Sequence, residues 1–235
     1  MTDPISDDTP LTPGGDLTTS ALDRPDVLAG EVLATAPRQE RSRRSREALL
    51  AAARSRFASN GYDATAVEDI AKDAGVAVGA FYLHFRSKRQ VLLVLVDRLV
   101  QELGSEPWSA PGDDAATVMN RIRRRFSGVF AYAGIYRAWS EAMLRDHSLT
   151  ALHERIEAWV TAAVTAALSV AASAPRARPN VDVRAVSYML SMIFGRLLDA
   201  PTTDRSALAD TLVAALRNVL FEDGADEERP AALEP

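Results

Sequence analysis

The residues of this chain that could do chemistry are few: three histidines, no cysteine and a set of arginines crowded into one stretch. His84, His147 and His153 lack the spacing of a metal site. The last two lie six apart across a helix start and cannot face one another as an i, i+4 pair would. Without cysteine there are no disulfides, thiolate metal sites or thiol nucleophiles, which suits a reducing cytoplasm. Nucleophile elbow, phosphate-cradling glycine loop and paired-carboxylate signature are all missing, so the expectation is a protein that is not an enzyme and needs no cofactor or metal.

The arginines point to phosphate. The chain of 235 residues carries a formal net charge of −5, but the charge is unevenly spread. Residues 37–90 hold eleven basic side chains against six acidic ones, a balance of +5, whereas residues 1–36 sum to −6 and residues 222–235 to −5. A positive module between acidic tails is the charge footprint of a nucleic-acid binder. Its leading edge, Arg38 to Arg46, reads as a basic arm that contacts phosphates or reaches a minor groove, with Arg44 a candidate contact.

The elements that must position these charges are short helices. Leu50, Ala53 and Phe57 recur at helical spacing up to Asn60-Gly61, where glycine can end a helix in the left-handed conformation. Thr65-Ala66-Val67-Glu68 reads as a capping box opening a second helix, and Ser87-Lys88-Arg89-Gln90 as another opening a fourth. Between them, Gly75 turns the chain into a third helix over Val78-Gly79-Ala80-Phe81-Tyr82-Leu83-His84-Phe85. Two short helices joined by a glycine turn have helix-turn-helix geometry, the second helix facing a DNA major groove. Gly79 inside that helix costs roughly 1 kcal/mol relative to alanine, a cost explained either by close approach of the backbone to bases or by tight packing.

Gly61-Tyr62, Thr65, Val67, Ile70-Ala71, Ala74-Gly75-Val76, Phe81-Tyr82, His84-Phe85 and Ser87-Lys88, in this order, resemble the DNA-binding domain of the tetracycline-repressor (TetR) family of bacterial regulators. The resemblance spans about a fifth of the chain. It implies that the Tyr82 hydroxyl and the Lys88 ammonium hold phosphates on either side of the groove, that Thr65 caps its helix and offers its N-terminus to a phosphate, and that Val78, Gly79, Ala80 and His84 belong to the DNA-facing set. Ala77 stands where the family usually has a Ser or Thr cap. Ala66 and Val78 replace residues that are commonly polar or basic, so direct base readout is expected to be sparse.

Downstream, helical patterning continues. The fourth helix ends at Gly104; Asp113 or Asp114 caps a fifth reaching about Tyr132; Gly134 breaks it from a sixth; Ser148 caps a seventh; the eighth and ninth cover about 182–199 and 204–221. These last two are apolar over so wide an arc that each should bury two faces, one of them against a twofold partner. Tyr188, Met192, Leu212, Leu216 and Val219 are the candidate dimer contacts. The resemblance implies a small-molecule cavity in the second domain, for which Phe130, Tyr136, Trp139, Met143, Trp159 and Tyr188 are candidate contacts, since a cavity for a drug-sized ligand is apolar with a few polar tips.

The expectation is an all-α protein of about nine helices: a disordered acidic tail over 1–36, a helix-turn-helix domain with its basic arm over 37–90, a helical ligand-binding and dimerisation domain over 91–221, and a disordered acidic tail over 222–235. No apolar run reaches the roughly 18 residues of a membrane helix and no signal pattern opens the chain, so a cytoplasmic location is expected. The expected function is a homodimeric repressor of a palindromic double-stranded operator, released by an apolar small molecule. An architectural DNA-binding protein without an effector is the alternative.

Overall fold

A computed structural model describes residues 23–33, 39–175, 177–199 and 205–222. The outer parts of both tails and Arg38 lie outside the described residues. Those described form nine helices: α1 Glu40–Asn60, α2 Val67–Asp73, α3 Val78–His84, α4 Lys88–Leu103, α5 Ala115–Phe130, α6 Ala133–Met143, α7 His147–Ala172, α8 Val183–Asp199 and α9 Arg205–Leu220. The architecture is all-α, with an isolated antiparallel bridge between Ala177 and Phe221 closing the end of α9 onto the loop after α7.

The first three helices share a small core of Leu49, Leu50, Ala53, Phe57, Ile70, Phe81 and Phe85, all essentially without exposed surface. Burying each large apolar side chain stabilises the module by roughly 1.5 to 3 kcal/mol. α4 differs from an amphipathic surface helix: the six consecutive residues Val91 to Val96 are all buried. A run buried on every side requires neighbours all round, and α4 packs against α1, α5 and α6. It is therefore the shared wall of the head formed by α1 to α3 and of the larger body formed by α5 to α9.

Several expectations about helix ends need correction. Gly134 does not break a helix but sits in the first turn of α6. A side chain there would meet Ala58 of α1, whose Cα lies 2.6 Å from where a Cβ would stand, so the glycine lets two helices touch. α7 is capped by Asp146, whose carboxylate accepts from the Ser148 amide, not by Ser148 itself. By length and composition α7 could cross a membrane, although the sequence suggested no such stretch. Here it packs against α5 and α8 and buries Leu149, Trp159, Val164 and Leu168.

Residues 23–33 are not a free tail. Val27 is buried in the core, Arg24 pairs with Asp97, and Glu31 pairs with Arg89. The sequence reading missed this because one buried valine and two ion pairs leave no periodic pattern.

Candidate nucleic-acid interface and ligand cavity

The turn between α2 and α3 is made by backbone geometry. Gly75 has φ +67°, its amide donates to the Lys72 carbonyl, and the Val76 amide donates to the Ala71 carbonyl. This closes α2 in a motif that favours glycine at the left-handed position. α3 then turns Phe81 inward and leaves Val78, Gly79, Tyr82 and Leu83 outside, Tyr82 at 56% and Leu83 at 75% exposure. The Phe81 ring braces Tyr82 edge-on at 5.3 Å between centroids. Around Gly79 no atom lies within 4 Å of where a Cβ would stand, so packing within the chain does not explain the glycine.

Three polar residues expected at the DNA surface make contacts or are buried within the head: Thr65 and His84 are buried and Lys88 is half-buried. The Lys88 ammonium donates to the carbonyls of Tyr62, Asp63 and Thr65 at 2.7, 3.2 and 3.0 Å and lies 4.4 Å from the centre of the Tyr62 ring. An ammonium has three donors, and all are engaged. Burial holds its pKa below the ordinary lysine value, against the pull of Asp63 and Glu141. Lys88 thus ties the start of α4 to the α1–α2 turn. Thr65 is buried and its hydroxyl donates back to the Gly61 carbonyl at 2.7 Å; Ala66 occupies the cap position of α2, without a side-chain cap. The expected capping box is absent because that hydroxyl closes the preceding turn. His84 is buried, and desolvation, followed by repulsion from Arg46, lowers its pKa. Ser87 does cap α4, as expected: its hydroxyl accepts from the Gln90 amide, while the Gln90 side chain accepts from the Arg86 amide at 2.9 Å.

The other cations of the head differ in exposure and pairing. Arg41, Lys72 and Arg86 are exposed and have no ion pair among the described residues. Arg44 is 79% exposed at its side chain but shares Glu40 with Arg43. Arg56 is held by Asp73 in a two-pronged pair at 2.5 and 2.7 Å. Ala80 is half-buried at the edge of the exposed face.

In the body, a cavity of about 90 Å³ opens between α4, α6, α7 and α8. Its wall is apolar, with Val96, Leu99, Ile135 and Ile156 among the lining residues, and carries polar tips from Tyr136, Trp139, His153 and Glu157. The Trp139 indole donates to His153 Nδ1 at 3.3 Å, which leaves the Nε2 proton facing Glu157, also at 3.3 Å. Gly195 faces Tyr136: a Cβ there would stand 2.9 Å from the phenol oxygen. No cluster that could hold a metal occurs among the described residues.

The head is seated on α6 by a single stripe. Gly134 touches Ala58, Arg137 donates to the Ala58 carbonyl, Glu141 accepts from the Tyr62 amide at 2.6 Å, and Arg145 just beyond the helix pairs with Asp63 at 3.0 Å. The spacing of 3, 4 and 4 residues puts all four on one face. Gly61, at φ +82°, gives the Glu141 carboxylate its place, since a Cβ would lie 2.6 Å from it.

Residues 49–95 match the family described as bacterial regulatory proteins, tetR family. The HTH-type transcriptional regulator EthR of Mycolicibacterium smegmatis is 30% identical over 197 residues, which cover 78% of this chain and 89% of the relative. The chain belongs to the tetR family. Among solved structures, SmeT, the repressor of the Stenotrophomonas maltophilia multidrug efflux pump SmeDEF, superposes with a TM-score of 0.60 at 21% identity over 81% of this chain and 96% of its own; the SmeT–triclosan complex gives the same TM-score over 97% of its own chain. This is a DNA-binding transcriptional regulator.

Within this tetR-family chain, Tyr136 and Trp139 are the two expected ligand contacts that line the cavity. Phe130 and Trp159 are buried elsewhere in the core, Trp159 against Gly104, and Met143 packs partly buried against the core away from the cavity wall. Tyr188 lies outside, 63% exposed, on a groove between α7 and α8. The sequence reading missed His153, Glu157, Ser191 and Gly195, whose short or polar side chains give no aromatic signal. Of the expected dimer contacts, Tyr188, Met192 and Val219 are exposed, and Met189 and Ile193 join them; Leu212 is half-buried, and Leu216 is buried within its own subunit's core. α9 turns Leu216 inward together with Ala209 and Leu220, which corrects its assignment to the interface.

Proposed function

We propose that this regulator is a repressor that binds a palindromic operator as a homodimer and releases it when a small, mostly apolar molecule enters the α4–α6–α7–α8 cavity. The observation that carries this reading is α6. One of its faces lines the cavity with Ile135, Tyr136 and Trp139, and the stripe of Gly134, Arg137, Glu141 and, just past its end, Arg145 holds the head. A ligand that moves α6 moves the seat of the head.

Open space around Gly79 supports approach of the α3 backbone to base edges, with Tyr82 on one flank and Arg41, Lys72 and Arg86 available for phosphates. The exposed apolar residues Tyr188, Met189, Met192 and Ile193 on one face of α8, with Val219 of α9 also exposed, support a twofold partner, because water-exposed groups of this size cost free energy unless covered. The solved complex of SmeT with triclosan supports a ligand that is apolar and aromatic. Polar tips from Tyr136, Trp139, His153 and Glu157 would orient such a ligand within the cavity.

The test begins by selecting duplexes from a random pool with the purified protein. A palindromic consensus, protected in two half-sites one helical turn apart or a multiple of it, is expected. Apolar aromatic compounds that quench tryptophan fluorescence should then weaken that complex by about 5- to 150-fold, the range given by a coupling of ~1 to 3 kcal/mol. Trp139→Ala should keep DNA binding and lose the release. Selection without a consensus, together with indifference to every compound that occupies the cavity, would favour the architectural reading.

A further inference from the structure

We propose that residues 24–33 form an intramolecular strap that fixes the position of α4, and with it the orientation of the DNA-binding head. The segment lies along α4 in the opposite direction. Arg24 pairs with Asp97 at 3.6 Å, whereas Glu31 meets Arg89 and Gln90, eight and seven residues nearer the helix start. At about 1.5 Å per residue those anchors are roughly 12 Å apart along the helix. Between them Val27 is buried, and a turn closed by the Glu31 amide on the Leu28 carbonyl carries Gly30 at φ +79°. A conformation that favours glycine, a buried apolar anchor and paired charges at both ends make a defined fit and not a chance contact.

The strap is joined to the first turn of α4 through groups that have two tasks each. Gln90, 2% exposed, uses its side-chain oxygen to accept the Arg86 amide and its side-chain nitrogen to donate to Glu31 and to the Val32 carbonyl, both at 3.2 Å. Arg89 donates to Glu31, to Asp146 at 2.6 Å and to Ser148 at 3.2 Å, so one guanidinium connects the strap, α4 and the start of α7. The same turn carries Lys88, which holds the α1–α2 turn of the head. Loss of the strap would leave the Gln90 amide and the Arg89 guanidinium short of partners at the point where head meets body. A head held in one orientation loses less freedom on binding DNA, so the strap should strengthen binding by pre-organisation. This inference needs only that the protein binds DNA, and does not rest on the effector reading.

The test uses the full-length protein and its selected duplex. Arg24→Glu sets like charges against Asp97, and Gly30→Val disfavours the turn. Each should leave the helical circular dichroism signal intact, raise amide exchange over residues 87–92, and weaken duplex binding at least fivefold. Adding Asp97→Arg to Arg24→Glu restores an opposite pair and should recover both readouts. Unchanged exchange and affinity in both single variants would overturn the proposal. So would tighter binding, which would mean that the strap holds the head away from DNA.

Discussion

The head and the body use their polar residues in opposite ways. In the head, the groups that the sequence marks for chemistry are turned to construction: Lys88 closes on three carbonyls, Thr65 on one, and His84 is buried. The outer side of α3 is left to Tyr82 and the open backbone at Gly79, with exposed cations nearby in sequence. In the body, residues that look like ordinary core include Tyr136 and Trp139, which stand at the edge of free space beside a histidine and a glutamate. A module of three helices buries less apolar area than the body does, and buried polar contacts add to what fixes its geometry. The larger body has core to spare and can leave a cavity.

The strongest way to break that comparison is at α8. If the body exists to pair two heads, Met192→Glu combined with Tyr188→Glu, both at exposed apolar positions, should give folded monomers. Operator affinity should then fall by roughly a hundredfold or more, since the second half-site no longer benefits from linkage. Light scattering that still finds a dimer would place the interface elsewhere. Next in size is the joint between the two regions. Gly134→Val would drive a side chain into Ala58 and should destabilise the protein by about 1 to 3 kcal/mol, read as a lower melting temperature, with the head's exchange protection lost first.

A third substitution pair sharpens the comparison within the head. Lys88→Met should cost about 1 to 3 kcal/mol of stability, because it leaves three carbonyls without their charged donor, while the salt dependence of DNA binding keeps its slope. Tyr82→Phe should do the reverse: stability within about 0.5 kcal/mol, and weaker binding to selected and random duplexes alike. A shallower salt slope in Lys88→Met, by about one unit per subunit, would show that the lysine also holds a phosphate.

What could be read from the sequence followed from what is local. The α2–α3 turn, the Ser87 cap of α4 and the Asp114 cap of α5 all depend on neighbours within five residues, and all three are present. The contacts that set roles are distant in sequence: Lys88 to Tyr62, Gly134 to Ala58, Trp139 to His153, Arg89 to Glu31. A threonine three residues before a glutamate looks like a cap whether its hydroxyl points forward to an amide or back to Gly61. Likewise α8 and α9 show a wide apolar arc, but only their rotation against α7 and α5 decides that Leu216 is inside and Met192 outside.

The smallest expected effect tests whether the head's buried polar groups behave as construction. His84 has a pKa below the ordinary 6.5, first because burial disfavours the imidazolium and then because Arg46 repels it. Above that ordinary value both folded and unfolded chains hold a neutral ring, so the stability it permits is fully present. As the pH falls through 6.5 the unfolded chain takes up a proton that the folded head resists, and stability declines until the folded group also protonates. The carboxylates Glu47, Asp73, Asp114 and Asp146 are all held below their ordinary values, by Arg98, Arg56, Thr117 and Ser148 respectively, and therefore titrate in a separate, more acidic window. Between pH 7.5 and 5.5 the wild-type melting temperature should drop, and His84→Leu, which keeps the volume and removes the proton site, should drop less. Equal losses in the two proteins would show a ring that reaches solvent, and would return His84 to the surface that meets DNA.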